Sequence, residues 1–273
     1  MTRITLTIIL LFTGCLLKGQ NIYWTLHLNE QTEYKTVKPK KIIETGTYNL
    51  TTSPRNVQST ILFDDAGRIK FREWHQEEDN YTTITKYVYD TTRNILIAQI
   101  NEFISHIKTT SDTTHFEYNS NQHVVGMLHK NDDNNVLRIT QIINNEKGHP
   151  VKLIDLDSNG IQIRMETAVY NYEKNRVVTA VYGTDGKQYF TNSHKIDRSI
   201  ASQFPDVNEK YNQQGDVIAY EGKLPDGTMH PYEIDRTYDD KGNWTESKTY
   251  EIISPGGKRE RVLVMHYRRE YFY

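Results

Sequence analysis

Runs of alternating apolar and polar residues, broken by short Asx- and Gly-rich stretches, recur along this chain and predict β-hairpins. Ile161, Ile163, Met165, Thr167 and Val169 share one face of such a run, with Gln162, Arg164 and Glu166 on the other. Tyr81, Thr83, Thr85, Tyr87 and Tyr89 make a hydroxyl-bearing face instead. After Trp244 the faces are mixed, with Glu246, Lys248 and Tyr250 on the tryptophan's side. Antiparallel sheets of this kind commonly leave one face in water. Residues 259–273 read as a long terminal strand, and residues 20–50 as leading strands, with Ile22-Tyr23-Trp24-Thr25-Leu26 the firmest. One segment has helical spacing. Ile196, Ile200 and Phe204 recur every four residues and Pro205 stops the pattern, so one short helix is expected near 195–204, covering part of a sheet face or edge.

Between the strands the turns repeat. Phe63-Asp64-Asp65-Ala66-Gly67, Tyr89-Asp90-Thr91-Thr92-Arg93-Asn94, Tyr211-Asn212-Gln213-Gln214-Gly215 and Tyr238-Asp239-Asp240-Lys241-Gly242 are the clearest copies. Looser ones start at Tyr118, Ile143 and Tyr172, and the seven starts are separated by 26, 29, 25, 29, 39 and 27 residues. A step in the high twenties holds two strands and two turns, so each unit is one hairpin. Asp and Asn bond their own backbone in such turns, and Gly reaches positive φ without steric cost. The fold class that follows is all-β: a long antiparallel meander of repeated hairpins, twisted or curled, in one domain over residues 20–273.

The string Tyr238-Asp239-Asp240-Lys241-Gly242-Asn243-Trp244 resembles the YD repeat of the Rhs family, as does the unit at Tyr211 to Val217. The looser copies resemble YD-like secreted and surface proteins of Gram-negative bacteria. The resemblance implies strips of β-hairpins, binding of carbohydrate or protein, and a place in cell-surface or toxin–immunity systems. Large Rhs proteins build an enclosing shell from many more units, so seven are expected to be too few for one.

The chain's start changes the setting. Arg3 precedes an apolar stretch from Ile4 to Leu17, followed by Lys18-Gly19-Gln20, which reads as a signal peptide over residues 1–19. Two processing routes fit. Cleavage after Gly19 leaves Gln20 first, whereas Phe12-Thr13-Gly14-Cys15 resembles a lipobox that would acylate Cys15 and make an outer-membrane lipoprotein. Either route sends the chain to the periplasm, the cell surface or the medium, with no transmembrane segment after signal removal. Cys15 is the single cysteine, so no intramolecular disulfide and no thiolate metal site is available. With 33 basic and 35 acidic residues there is no global field to recruit nucleic acid. A mean hydropathy of −0.72 suits an extensive sheet with solvated faces rather than a thick core.

Candidate chemistry is sparse. Asp155-Leu156-Asp157-Ser158-Asn159-Gly160, with Glu166 six residues on, matches the spacing of a calcium loop. The flanks alternate with period two, so the alternative is a hairpin turn through Asp157-Ser158-Asn159-Gly160, with calcium on Asp155, Asp157, Asn159 and Glu166 as the sharper reading. No histidine spacing makes a zinc site, and no phosphate loop or Gly-x-Ser-x-Gly elbow is present. Trp74, Trp244 and Tyr250 offer an aromatic platform for a sugar or a partner, against the alternative that strand aromatics pack across the sheet. An outer-membrane barrel would need a lipid-facing stripe on every strand, which the strand at Trp244 and the run Arg68-Lys70-Arg72 do not supply. The sequence thus reads as an exported non-catalytic binding protein, with a protein or glycan of the envelope as partner and no required cofactor. A surface-polysaccharide hydrolase and a toxin-immunity protein are the alternatives. Strand addition at an unpaired edge is one binding mode, with the basic residues of 259–269 as a guard on that edge.

Overall fold

The computed structural model describes residues 21–28, 33–49, 54–198, 209–223 and 228–273. The signal-peptide expectation over 1–19 and Cys15 lie outside these residues. One short helix, α1 (Asn21–Leu26), precedes seventeen strands. They are β1 (Lys41–Tyr48), β2 (Arg55–Phe63), β3 (Ile69–Gln76), β4 (Tyr81–Asp90), β5 (Ile95–Ile104) and β6 (Thr109–Tyr118). Next come β7 (Val124–Asn131), β8 (Val136–Asn144), β9 (Pro150–Leu156), β10 (Gln162–Asn171), β11 (Arg176–Tyr182) and β12 (Gln188–Lys195). After residues 199–208 follow β13 (Lys210–Tyr211), β14 (Val217–Lys223), β15 (Met229–Tyr238), β16 (Trp244–Ile253) and β17 (Glu260–Phe272).

The strands form one antiparallel meander. β1 to β12 pair in sequence, β13 to β17 pair in sequence, and β17 pairs with β1 from Lys41↔Phe272 to Tyr48↔Met265. The terminal strand therefore has neighbours on both sides, and the basic residues expected to guard an edge lie inside the sheet. The edges are β12 and β13, and they face each other: Lys195 Nζ lies 3.7 Å from Glu209 Oε2 and 3.7 Å from the Tyr211 ring centroid. One open sheet has curled until its edges meet, so seven hairpin units suffice to wrap an interior, contrary to the expectation from unit number.

The seam between the edges has a topological cause. In a ring of alternating strands an odd count leaves one neighbouring pair parallel. Seventeen strands with β1 antiparallel to β17 put that pair at β12 and β13. A parallel neighbour needs a connection of about a dozen residues or more. Residues 196–209 supply it, which accounts for the single step of 39 in the repeat. Of the helix expected near 195–204, Lys195 closes β12 and 196–198 form a bend, while the rest lies outside the described residues.

All seven repeated turns lie at the same end of the curled sheet, here the motif end, joining β2–β3, β4–β5, β6–β7, β8–β9, β10–β11, β13–β14 and β15–β16. In the Asp64 turn, Asp64 Oδ1 accepts from the N–H of Ala66 (3.0 Å) and Arg68 (2.9 Å), and Gly67 takes φ +85°. Asn119, Asn145, Asn212 and Asp239 repeat the same pair of bonds. Six of the seven turns are followed by a β-bulge, the β10–β11 turn being the exception. Leu62 and Phe63 face Phe71 and Ile69, for example, leaving Lys70 extra.

A bulge strands a carbonyl, and here a side chain from the next unit caps each one. Tyr89 OH donates to Ile69 O (2.9 Å), Tyr118 OH to Leu96 O (2.6 Å), Tyr170 OH to Pro150 O (2.8 Å) and Tyr271 OH to Trp244 O (3.2 Å). Where Ile143 replaces the tyrosine, Asn144 Nδ2 reaches Val124 O (2.8 Å), and Arg236 Nη1 serves Val217 O (2.6 Å). Of these tyrosines Tyr89 and Tyr118 open motif units, whereas Tyr172 and Tyr238 tie successive hairpins by accepting from Asn145 Nδ2 (2.8 Å) and Asn212 Nδ2 (2.6 Å) of the preceding turn.

The N-terminal residues occupy the interior. Residues 21–26 form a helix in place of the leading strand expected there, because the wall curls round them and its inner face meets the apolar side of α1. Ile22 is fully buried among Leu96, Phe116, Val124, Met127, Ile142, Leu153, Ala168 and Val177, drawn from β5 to β11. Glu33 then bonds both Arg72 on β3 and Arg269 on β17, the latter at 2.9 Å. Burial alone would raise the Glu33 pKa, but the two guanidinium charges outweigh it and hold the carboxyl below its usual value. Beyond it, Lys35 N reaches Asn243 Oδ1 (2.7 Å) and Lys35 Nζ reaches Asp216 (3.0 Å), crossing the motif end.

Away from α1 the inner face is polar. Thr114 Oγ1 meets His129 Nδ1 (2.9 Å), and Arg138 Nη2 meets His129 Nε2 (3.1 Å). An arginine only donates, so Nε2 accepts and the proton sits on Nδ1. The apolar side of β10 consequently faces outward, with Val169 73% and Ile161, at its edge, 62% exposed. Its polar side turns inward to meet these partners. On β15–β17 the outer face is instead laced with ion pairs, such as Arg261 with Asp235 (2.8 Å) and His266 with Glu246 (2.7 Å).

Candidate binding cleft

The seam opens into a cleft of about 370 Å³. Ser193, His194 and Lys195 of β12, with Arg198 just beyond, line one side. Glu209, Tyr211, Gly215, Asp216 and Val217 line the other, and Tyr23 of α1 and Arg236 of β15 complete it. Each group is positioned by the topology already described. Tyr23 reaches the cleft because α1 is held in the interior, where its ring stacks on His194 at 4.2 Å. His27 Nε2 donates to the Lys195 carbonyl (3.3 Å), tying the helix to the edge strand. Arg236 is present because it caps the carbonyl of Val217 at the bulge of β14.

The electrostatics are lopsided. Glu209 faces Lys195 at 3.7 Å and accepts from Tyr211 OH, and Asp216 accepts from Lys35 and from Tyr238 OH (3.0 Å). Both carboxylates are therefore matched. Arg198 spends Nε on Tyr23 OH (3.1 Å), and Arg236 spends Nη1 on Val217 O. Neither guanidinium has a carboxylate partner among the described residues, and the buried Nε of Arg236 has no hydrogen-bond partner. Burial, then the neighbouring His27 and Arg198 charges, push His194 down to about 4, so it is neutral near pH 7. Burial also lowers Lys195, against the pull of Glu209. Tyr211 is raised, first by burial and then by Glu209.

The residues singled out in the sequence lie elsewhere. Asp157 forms a hairpin turn between β9 and β10, with Oδ1 accepting from Asn159 N (2.9 Å) and Ile161 N (2.9 Å). This is the same bonding as in the motif turns, repeated at the opposite end. Asp155 is buried on the inner face, bonded to Thr140 Oγ1 (2.6 Å) and Arg164 Nε (2.8 Å). Glu166 is buried beside α1 and accepts from Ile22 N (3.4 Å). The four residues of the calcium reading are thus spread over a turn, an ion pair and a helix contact. Among the described residues no group of three or more His, Cys, Asp or Glu side chains gathers as a metal site.

The aromatic platform is also dispersed. Trp74 shares the inner face of β3 with Arg72 and meets Tyr81 edge-on at 6.2 Å. Trp244 turns inward under the Arg269 guanidinium at 4.0 Å. Tyr250 lies on the outer face, under Arg261 at 4.0 Å. The bulge at Thr245 explains the split. It shifts the alternation by one residue, so Trp244 and Glu246 point to opposite sides although two residues apart.

The cleft residues themselves carry no sequence signature. His194, Lys195, Arg198 and Arg236 come together only because the sheet curls and α1 fills it. The available signal was the long step in the repeat, which marks where the wall is not zipped.

No family model matches the chain, and no curated protein matches it. A porin-like protein from Bacteroides uniformis overlaps 87% of this chain and 99% of its own, with 12% identity and a TM-score of 0.49. A porin-like protein from Bacteroides vulgatus overlaps 83% of this chain and 97% of its own, at 10% identity and a TM-score of 0.27. A crystal structure of TcdB2-TccC3 overlaps 81% of this chain, with 9% identity and a TM-score of 0.36, and there this chain spans only 15% of the larger protein. All three overlaps are loose.

Proposed function

We propose that this is an exported, non-catalytic binding protein of the cell envelope that takes part of a protein or glycan partner into the seam cleft. The observation that carries the reading is the cleft itself: two guanidiniums without carboxylate partners among the described residues, in a hollow of ligand size. Export rests on the leader-like residues 1–19. The acidic concave patch that an immunity protein would offer a basic toxin site is not what lines this cleft. Glycoside cleavage needs one carboxyl kept protonated as general acid. Glu209 and Asp216 each already face a cation and accept a tyrosine hydroxyl, which favours binding over chemistry.

The test is capture from envelope extract with the purified protein and with Arg198→Glu, which reverses the charge of one of the two guanidiniums that line the cleft. A partner retained by the wild type and lost by a variant of unchanged melting temperature supports the reading. Equal recovery by both proteins overturns the cleft as the binding site.

A further inference from the structure

We infer that the seam cleft recognises an acidic sugar of an envelope polysaccharide, with the sugar carboxylate on Arg198 and Arg236 and its hydroxyls on Glu209 and Asp216. This inference rests on the binding reading above. The charge inventory leads to it. Lys195 and Lys35 already answer Glu209 and Asp216, so the two guanidiniums are the surplus. Arg198 bonds through Nε alone among the described residues, which leaves its terminal amino edge unspent. A guanidinium edge matches a carboxylate in two parallel hydrogen bonds, which an ammonium cannot do.

The two carboxylates then select among anions. An ionised carboxylate only accepts, so Glu209 and Asp216 call for hydroxyl or N–H donors and repel a ligand that brings negative charge alone. A neutral sugar would satisfy them and leave the guanidiniums unanswered in a partly dry cleft. An acidic peptide would answer the guanidiniums and set its other carboxylates against Glu209 and Asp216. A uronic-acid sugar carries one carboxylate beside several hydroxyls and meets both demands. The rings of Tyr23 and Tyr211 line the same cleft and add apolar surface with a wet tip.

The experiment is calorimetric titration of the purified protein with trigalacturonate, with neutral trigalactose and with a hexaglutamate peptide, each at low and high salt. Trigalacturonate is expected to bind at least tenfold tighter than the other two, more weakly at high salt. Arg198→Gln should weaken it at least tenfold, and Arg198→Lys should fall between, since the charge stays but the paired geometry goes. Equal binding of trigalactose would overturn the acidic assignment while leaving a glycan-binding cleft. Binding of the peptide alone would overturn the sugar class while leaving a binding cleft. No heat from any of the three at millimolar concentration would overturn the inference, and the capture experiment would then judge the broader reading by itself.

Discussion

Replacing Tyr118 by Phe removes one oxygen atom and keeps the ring, so it isolates the tie between successive hairpins. Tyr118 OH donates to the carbonyl of Leu96 at 2.6 Å, and Leu96 is 1% exposed. With the hydroxyl gone, that carbonyl has no water to turn to. The loss combines a net hydrogen bond with a buried unsatisfied acceptor, about 1–3 kcal/mol. For a chain of this length each kcal/mol lowers the melting temperature by about 2–4 °C, so a drop of roughly 2–12 °C is expected. Thermal unfolding followed by circular dichroism reads this directly. Tyr189→Phe is the control, since Tyr189 is 67% exposed and its substitution should leave the midpoint within about 1 °C. A Tyr118→Phe protein that melts with the wild type, or no lower than Tyr189→Phe, would refute the claim that the Leu96 carbonyl depends on the Tyr118 hydroxyl.

Three further outcomes follow from the same geometry. Burial first, then nearby cations, holds His129 and His194 neutral, with protonation at about 4 against an ordinary 6.5. As pH falls the unfolded chain therefore takes up these protons first, so stability is complete above about 6.5 and declines from 6.5 towards 4. His129→Gln should flatten that decline in denaturant titrations at stepped pH, and an unchanged slope would count against it. Glu33→Gln leaves the partly exposed Arg72 facing a neutral amide, while Arg269 keeps Glu44 at 2.7 Å, so it should cost about 1–3 kcal/mol, with the N-terminal residues before β1 becoming open to limited proteolysis. Wild-type stability and protease resistance would contradict the role given to Glu33. Gly67→Ala and Gly160→Ala both place a side chain at positive φ (+85° and +79°), about 1–2 kcal/mol each. At Gly67 the added carbon also meets the Tyr34 hydroxyl, whereas at Gly160 nothing lies within 4 Å, so Gly67→Ala should be the worse by about 1 kcal/mol or more. Equal denaturation midpoints would show that the Tyr34 contact carries no weight.

What the sequence made legible was local. The turns were readable because Asx and Gly chemistry acts over five residues, and all seven turn where the repeat placed them. The turn at Asp157 rests on the same local bonding. Sheet phase was less legible, because a bulge changes which side a residue faces without changing its neighbours in sequence, as at Trp244 and Glu246. Residues 21–26 were misread as a strand for another reason. Their β-branched and aromatic content favours a strand in isolation, but the concave wall around them selects the helix that can bury Ile22. The cleft lay furthest from view, since its members are joined by the curl of the sheet and by no spacing along the chain.

The pairing of β17 with β1 sets an order on assembly. Strands β1 to β12 can add one hairpin at a time as the chain lengthens, each meeting a neighbour already made. The first strand, however, waits with one side bare until the last residues arrive, more than two hundred positions later. Closing so long a loop is slow, and in the interval β1 is an exposed template for pairing with another chain. A chain cut short after β12 should therefore fail by association through β1 rather than by loss of the hairpins already formed.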